Sequence, residues 1–524
     1  MQALDWFIIG GYFISLMLFG YFVGRKNHDQ YGYYVADRKL SWWAVGISTM
    51  ATQSSAISFI SIPAFVAVKE GGGLTWLQYE LALPLAMIAT SIFLIPHFRE
   101  LKLVSVYEYL QKRYGASVRN TVAIIFLFSR ALGTGIALYA TAIVMQSITD
   151  FPLWVSILGM GIIILIYDTF GGMRAVVYSD ILQMGLLILG VILSIYISID
   201  AIGGCQIIFE TFPKERLHTL DFSWGLSSTG GGMPFWAFLF GGFFLYTAYY
   251  GTDQSQVQRE LSTKSIEDSR RSLYFNGFAR FPLTLLYVFM GITVGALYLQ
   301  DASLQANVSA TSADYLIPEF ILAYLPEGIK GLLIAAILAA AMSSIDSALN
   351  SLSAVTLHDF VLKKRHIKGA KEIRLSQITT IFWGIIIILF AFLVGSIADT
   401  VIEAINKIGS AFYGPVLAVF LAGIFHRHIN SSAILIGLFA GVGVNIFLWL
   451  AYTEVMWMWW NVSGVVVAYI SAWLLSLSYF KVIKSDSDYN VEHKFTLKWK
   501  RMDTWLIGYF FMIMITLWLI EEFL

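Results

Sequence analysis

Residues 339–350 read AAAMSSIDSALN, in the middle of an apolar stretch, Ile329 to Val355, that is long enough to cross a lipid bilayer as a helix. On a helix Ser343, Asp346, Ser347 and Asn350 fall at i, i+3, i+4 and i+7, so they form one polar stripe. A carboxylate is expensive among acyl chains, so such a residue faces a cavity, a pathway or a partner. Hydroxyl and carboxylate oxygens on adjacent turns are hard ligands suited to a small hard cation. The Ala residues beside them let another helix approach closely. Hydrogen bonding between packed helices is the plainer role, and the carboxylate argues against it.

The rest of the chain repeats this apolar context. Of 524 residues, 58% are hydrophobic, 16% aromatic and 13% charged, well beyond the apolar content of a soluble globular chain. Fourteen apolar segments are expected to span. The first seven are Leu4–Val23, Leu40–Ala67, Leu74–Ile95, Val122–Ile148, Leu153–Phe170, Ala175–Ile199 and Phe235–Gln254. The others are Phe278–Leu299, Ile329–Val355, Ile378–Ile397, Val401–Phe425, Ala433–Ala451, Val455–Phe480 and Trp505–Ile520. The reading is an all-α polytopic membrane protein with a single membrane domain.

Basic residues test that count, because a wrong count scrambles their alternation between successive loops. One set of loops carries Arg25, Lys26, Arg38 and Lys39, then Arg99 to Arg119, Arg174, Arg259 to Arg271, Lys363 to Arg374, Arg427 and Lys481 to Arg501. The opposite set carries Lys69, Lys214 and Arg216. The basic face is expected to be cytoplasmic, with both termini outside a plasma membrane, or the inner membrane of a Gram-negative cell. The first segment lacks a small-residue cleavage pattern and is followed by basic residues, unlike a signal peptide. A formal net charge of zero argues against a nucleic-acid partner, and a single Cys205 excludes an internal disulfide framework.

Other polar positions within the spans are few. Residues 51–58, ATQSSAIS, place small and amide side chains at mid-depth, where an unwound helix frees carbonyls for cations. Residues 246–259, YTAYYGTDQSQVQR, alternate aromatic and polar side chains, which suits either a solute pocket or an interfacial belt at Tyr249 and Tyr250. Glu80, Arg130, Asp180 and Arg280 are isolated charges; Asp180 and Arg280 lie near span ends, where snorkelling to water is an alternative. Glu403 and Lys407 stand at i and i+4 and have each other as candidate partners. All eight His lie at or beyond segment ends, without metal-binding spacing, which disfavours an intramembrane enzyme. The polar groups cluster at mid-membrane instead of lining a continuous pore, which disfavours a channel.

Several stretches together resemble the sodium/solute symporter family over nearly the whole chain: SWWAVG from Ser41, SIPA from Ser61, YEYL from Tyr107, YDTFGG from Tyr167, SDILQ from Ser179 and DQSQVQR from Asp253, with the Ser/Asp stripe. The resemblance implies an amino-acid/sodium symporter-type fold: ten core helices in two inverted five-helix repeats, at residues 36–425. One extra helix (1–35) precedes the core and three (426–524) follow it. It implies a sodium site at Ala51, Ser54, Ala340, Ser343 and Ser344, and in members with a second ion a site at Asp180, Asp346 and Ser347. Asp346 stands where several relatives have Ser or Thr. One or two sodium ions are therefore expected as cargo, with a shared proton on neighbouring carboxylates as an alternative.

Solute contacts implied by the resemblance are Gln53, Ser55, Ser58, Glu80, Tyr249, Arg280 and Asn406. The arginine that grips the carboxylate of sialic acid falls on Gly133, and Arg130, one turn nearer the cytoplasm, is an eighth candidate solute contact. The expected activity is sodium-coupled import of a monosaccharide or sugar derivative such as a sugar acid, with a small organic anion as the alternative solute. The expected partners are sodium, a small solute and the bilayer, with no nucleic acid and no obligatory protein partner.

Overall fold

In lipid the backbone must satisfy its own hydrogen bonds, so long apolar runs without strand periodicity fold as helices. The computed structural model describes residues 1–24, 30–149, 151–226, 233–309, 312–361, 370–393, 400–478 and 499–523, and these are helical with no strand among them. Arg25, Lys26, the basic residues from Lys363 to Lys368 and from Lys481 to Lys498, and the expected segment ends Ile397 and Phe480 lie outside the described residues.

The principal helices are α1 (Ala3–Gly24), α2 (Trp42–Gln53), α3 (Ala56–Ala67), α4 (Ala116–Thr149), α5 (Leu153–Ile202), α6 (Gly242–Thr252) and α7 (Gln254–Leu261). They continue as α8 (Ile266–Gln300), α9 (Ile329–Val355), α10 (Ala370–Ala391), α11 (Val401–Phe425), α12 (Ser431–Ala451), α13 (Trp459–Ser478) and α14 (Arg501–Phe523). Among the described residues eleven helices are long and apolar enough to cross a membrane, or twelve when α2 and α3 count as one bent span. The expected fifth segment is apolar but shorter at Leu153–Ile166, and the seventh is a π turn at Ala237–Gly241 followed by α6. Fourteen spans require those two short helices to cross as well.

Two breaks shape the interior. Between α2 and α3 the chain bends by 54°. There Ser54 leaves helical geometry (φ −90, ψ 74), and the Ser55 side chain accepts from Ile57 N to start α3. The dense small-residue run thus breaks the helix where the sequence suggested, and the last carbonyls of α2 lose their intrahelical donors. The second break is in α5 at Gly172 (φ 70, ψ 173), a conformation that favours glycine.

Burial ranks the spans. In the most apolar stretch of Ile329–Val361 94% of the residues are buried, against 17% in those of α1 and α14. The polar stripe therefore lies on the central helix, packed by α5, α4, α1 and α10.

Candidate functional site

The broken helix meets α9 at its break. Ser344 Oγ donates to the Thr52 carbonyl at 2.9 Å, Thr52 Oγ1 and Ser347 Oγ lie 3.2 Å apart, and Ser347 Oγ donates back to the Ser343 carbonyl at 2.5 Å. Ala51, Ser54, Ala340, Ser343 and Ser344 are all buried. The main-chain and hydroxyl oxygens expected to hold sodium thus come from the two sides of one helix–helix contact. Among the described residues no group of three His, Cys, Asp or Glu side chains is placed to hold a metal ion. A cation bound here relies on carbonyl and hydroxyl oxygens.

Asp180 on α5 and Arg280 on α8 do not snorkel: both are buried and paired. Asp180 accepts from Ser48 and Ser343 and forms an ion pair at 3.2 Å with Arg259, the last residue of the DQSQVQR stretch. Arg259 is completely buried. Its guanidinium also donates to Ser48 Oγ at 2.8 Å, to the Ser255 carbonyl at 2.5 Å and to Ser347 Oγ. Two of the three residues expected at a second ion site, Asp180 and Ser347, therefore already hold a cation belonging to the chain. The third does not. Both carboxylate oxygens of Asp346 are buried without a hydrogen-bond partner, and so is Gln183 Oε1. Asp168, also buried, is within electrostatic reach of Asp346.

The neighbouring Glu260, on α7 and outside the spans, accepts from Thr49 at 3.2 Å and from Ser272. Burial pushes its carboxyl up to about 8, opposed by those hydroxyls and by Arg259 and Arg99. Between the ordinary 4.5 and 8 the folded chain keeps a proton that the unfolded chain has lost, so stability falls as pH rises through that window. Glu260→Gln is expected to flatten the decline in melting temperature across pH 5–9, read by thermal unfolding in detergent. A decline as steep as in the wild type would remove Glu260 as its cause.

Above the break lies a cavity of about 120 Å³. Gln53, Ser55, Ser58, Arg130, Tyr249, Arg280 and Asn406 line it, seven of the residues expected to contact solute. Glu80 does not. It stands behind the wall as the counter-ion of Arg280, 3.0 Å from Nε, and accepts from Thr284 at 2.9 Å and Tyr246 at 3.1 Å. Gly133 also lines the cavity, and Arg130, one turn away, reaches it. Arg130 faces Asp253 Oδ2 at 3.7 Å and the Tyr249 side chain, and its Nε is buried without a partner.

Tyr249 and Tyr250 are buried, so neither belongs to an interfacial belt; Tyr249 lines the cavity, and Tyr250 stands behind it, donating to Gln53 Oε1. Tyr79 donates to Asn406 Oδ1 at 2.7 Å and stacks on Trp76 with ring centroids 5.2 Å apart. Trp76, Tyr79, Asp253 and Tyr413 also line the cavity and were not singled out in the sequence as contacts. The first two are aromatic residues of the run LTWLQYE (residues 74–80), in which the charge of Glu80 was the only mark read, whereas Asp253 opens a quoted motif. Glu403 pairs with Lys69 at 3.9 Å, not with Lys407.

A broken helix, carbonyl and hydroxyl oxygens meeting between it and α9, and an aromatic-walled cavity beside them define a membrane transporter that couples a solute to a cation. The sodium:solute symporter family profile matches residues 33–441, and the chain belongs to that family: it is a sodium-coupled symporter, not an enzyme. It is 27% identical over 496 residues to the sodium/sialic acid symporter NanT of Aliivibrio fischeri, covering 92% of this chain and 95% of that one. It is 30% identical over 434 residues to the sodium-coupled monocarboxylate transporter 1 of Mus musculus, covering 82% and 69%. A sodium-coupled sialic acid symporter, solved with substrate in an outward-open state that reveals a novel sodium site, superposes with a TM-score of 0.80 at 24% identity. The match covers 92% of this chain and 99% of that one, and shows the shared fold.

Proposed function

We propose that this symporter imports a small solute bearing a carboxylate, a sugar acid or a short monocarboxylate. The observation that carries the reading is Arg130, whose Nε lacks a partner at the cavity and whose one counter-ion stands 3.7 Å away. A guanidinium with spare donors matches a carboxylate. The sequence expectation of a monosaccharide rested on Glu80 and Arg280, which pair with each other, Glu80 also accepting from Thr284 and Tyr246 and Arg280 donating to Ser54. The two relatives, named for sialic acid and for monocarboxylates, carry acids.

Sodium binds between the carbonyls of Ala51, Ser54 and Ala340 and the hydroxyls of Ser343 and Ser344, and fixes the broken helix against α9. That ordering completes the solute pocket, and the two ligands then favour the same occluded state by a coupling of about 1–3 kcal/mol. Asp346, with two partnerless oxygens, supports a second cation close to the Asp180 and Ser347 cluster. The core comprises residues 36–425 as two inverted repeats, with one helix before and three after. Fourteen spans put both termini outside.

The test is uptake of labelled acids into proteoliposomes under an imposed sodium gradient. Ser343→Ala is expected to weaken half-saturation by sodium about tenfold, the loss of one charge-assisted ligand. Arg130→Gln is expected to raise KM for an acid about 10- to 100-fold and leave that for a neutral sugar unchanged. Uptake indifferent to the sodium gradient, or a variant at Arg130 that affects acid and sugar alike, sinks the reading.

A further inference from the structure

A second cavity, about 440 Å³, opens on the lipid-facing side between the end of α1, the start of α2 and the part of α5 just beyond its bend. Phe19, Val23, Ile181 and Leu182 form its apolar walls. Along α5, Arg174, Tyr178 and Leu182 follow one another at intervals of four residues, one face over roughly 12 Å of helix. The order is charged, aromatic, aliphatic, which is the order of a phospholipid from head to tail. Trp43 and Tyr178, 46% and 40% exposed, are rings of the type that sit at headgroup level. Arg174 belongs to the set of loops rich in basic residues.

Its mouth carries both signs of charge. Arg174 Nη2 stands 3.6 Å from Asp37 Oδ2, with the two side chains 29% and 40% exposed. A fork of five donors with one distant partner has capacity left for phosphate oxygens. Asp37 belongs to a turn in which Ala36, Asp37 and Arg38 all have positive φ (46, 54 and 56), so strained backbone holds its carboxylate in place. An anionic lipid brings a second negative group beside that carboxylate. A zwitterion with a primary ammonium brings a donor for Asp37 as well as a phosphate for Arg174, and its zero net charge matches the pair.

We propose that this groove is a binding site for one phosphatidylethanolamine molecule, with its phosphate on Arg174, its ammonium on Asp37 and an acyl chain along Phe19, Val23 and Leu182. Phosphatidylcholine has the same phosphate but no N–H donor, and phosphatidylglycerol has no cation. Because the groove wall includes α2 and the bend of α5, a lipid seated there contacts the helices that carry Ala51 and Asp180.

The experiment is native mass spectrometry of the full chain in detergent with an equimolar mixture of the three lipids, all with identical acyl chains. Phosphatidylethanolamine is expected to be retained over the other two by about fivefold, the factor of one charge contact near a membrane surface. Asp37→Asn is expected to lower it to the phosphatidylcholine level. Arg174→Gln is expected to reduce retention of all three lipids, and Val23→Trp, which fills the groove and leaves both charges, to do the same. Equal retention of the three lipids by the wild type overturns the proposal. So does a preference that survives Asp37→Asn, or retention that survives Val23→Trp.

Discussion

Arg259→Met is expected to abolish sodium-driven uptake and to destabilise the fold by about 3–5 kcal/mol, the cost of leaving a buried charge without its partner. The charge is that of Asp180, and Ser48 Oγ, Ser347 Oγ and the Ser255 carbonyl lose their donor with it. These groups belong to α2, α5, α7 and α9, so one side chain ties four helices together beneath the ion site. Arg259→Lys is expected to recover only part of the loss, because an ammonium offers three donors from one point and cannot serve a fork of four acceptors. Asp180→Asn combined with Arg259→Met separates structure from coupling: the melting temperature should return toward the wild type while uptake stays lost. If Arg259→Met alone melts and transports like the wild type, the network is not what holds these four helices together.

Much of this arrangement was legible in the sequence because it is local. The stripe at Ser343, Asp346, Ser347 and Asn350 follows from helical spacing, and all four are buried on the most buried span. The break at Ser54 follows from a run of residues that hold a helix weakly. What the sequence hid is pairing across the chain. Nothing in the spacing of Glu80 and Arg280, 200 positions apart, shows that they neutralise each other. Likewise Arg259 reads as a loop arginine at a cytoplasmic edge until the structure places it against Asp180. Arg130 shows the reverse case. A one-turn offset from Gly133 argued against a carboxylate contact, but a long side chain spans a helical turn and lines the same cavity.

The second large effect is expected at the Glu80–Arg280 pair, where Glu80→Gln and Arg280→Met should each destabilise by about 3–5 kcal/mol, because each leaves the other charge stranded in a water-poor interior. Removing both charges together is expected to restore most of that stability, since a buried pair replaced by neutral groups of similar size is often tolerated. Glutamine at position 80 still accepts from Tyr246 and Thr284, which limits the residual cost. Uptake then distinguishes two roles. Arg280 donates to Ser54 at the break of the broken helix and also lines the cavity, so it either braces the break or touches the solute. If the solute's carboxylate rests on Arg130, the double variant should recover its KM for an acid along with its melting temperature. A stable double variant with KM still raised would instead put Arg280 in contact with the solute, and would return the pair to the sugar-binding role that the sequence suggested.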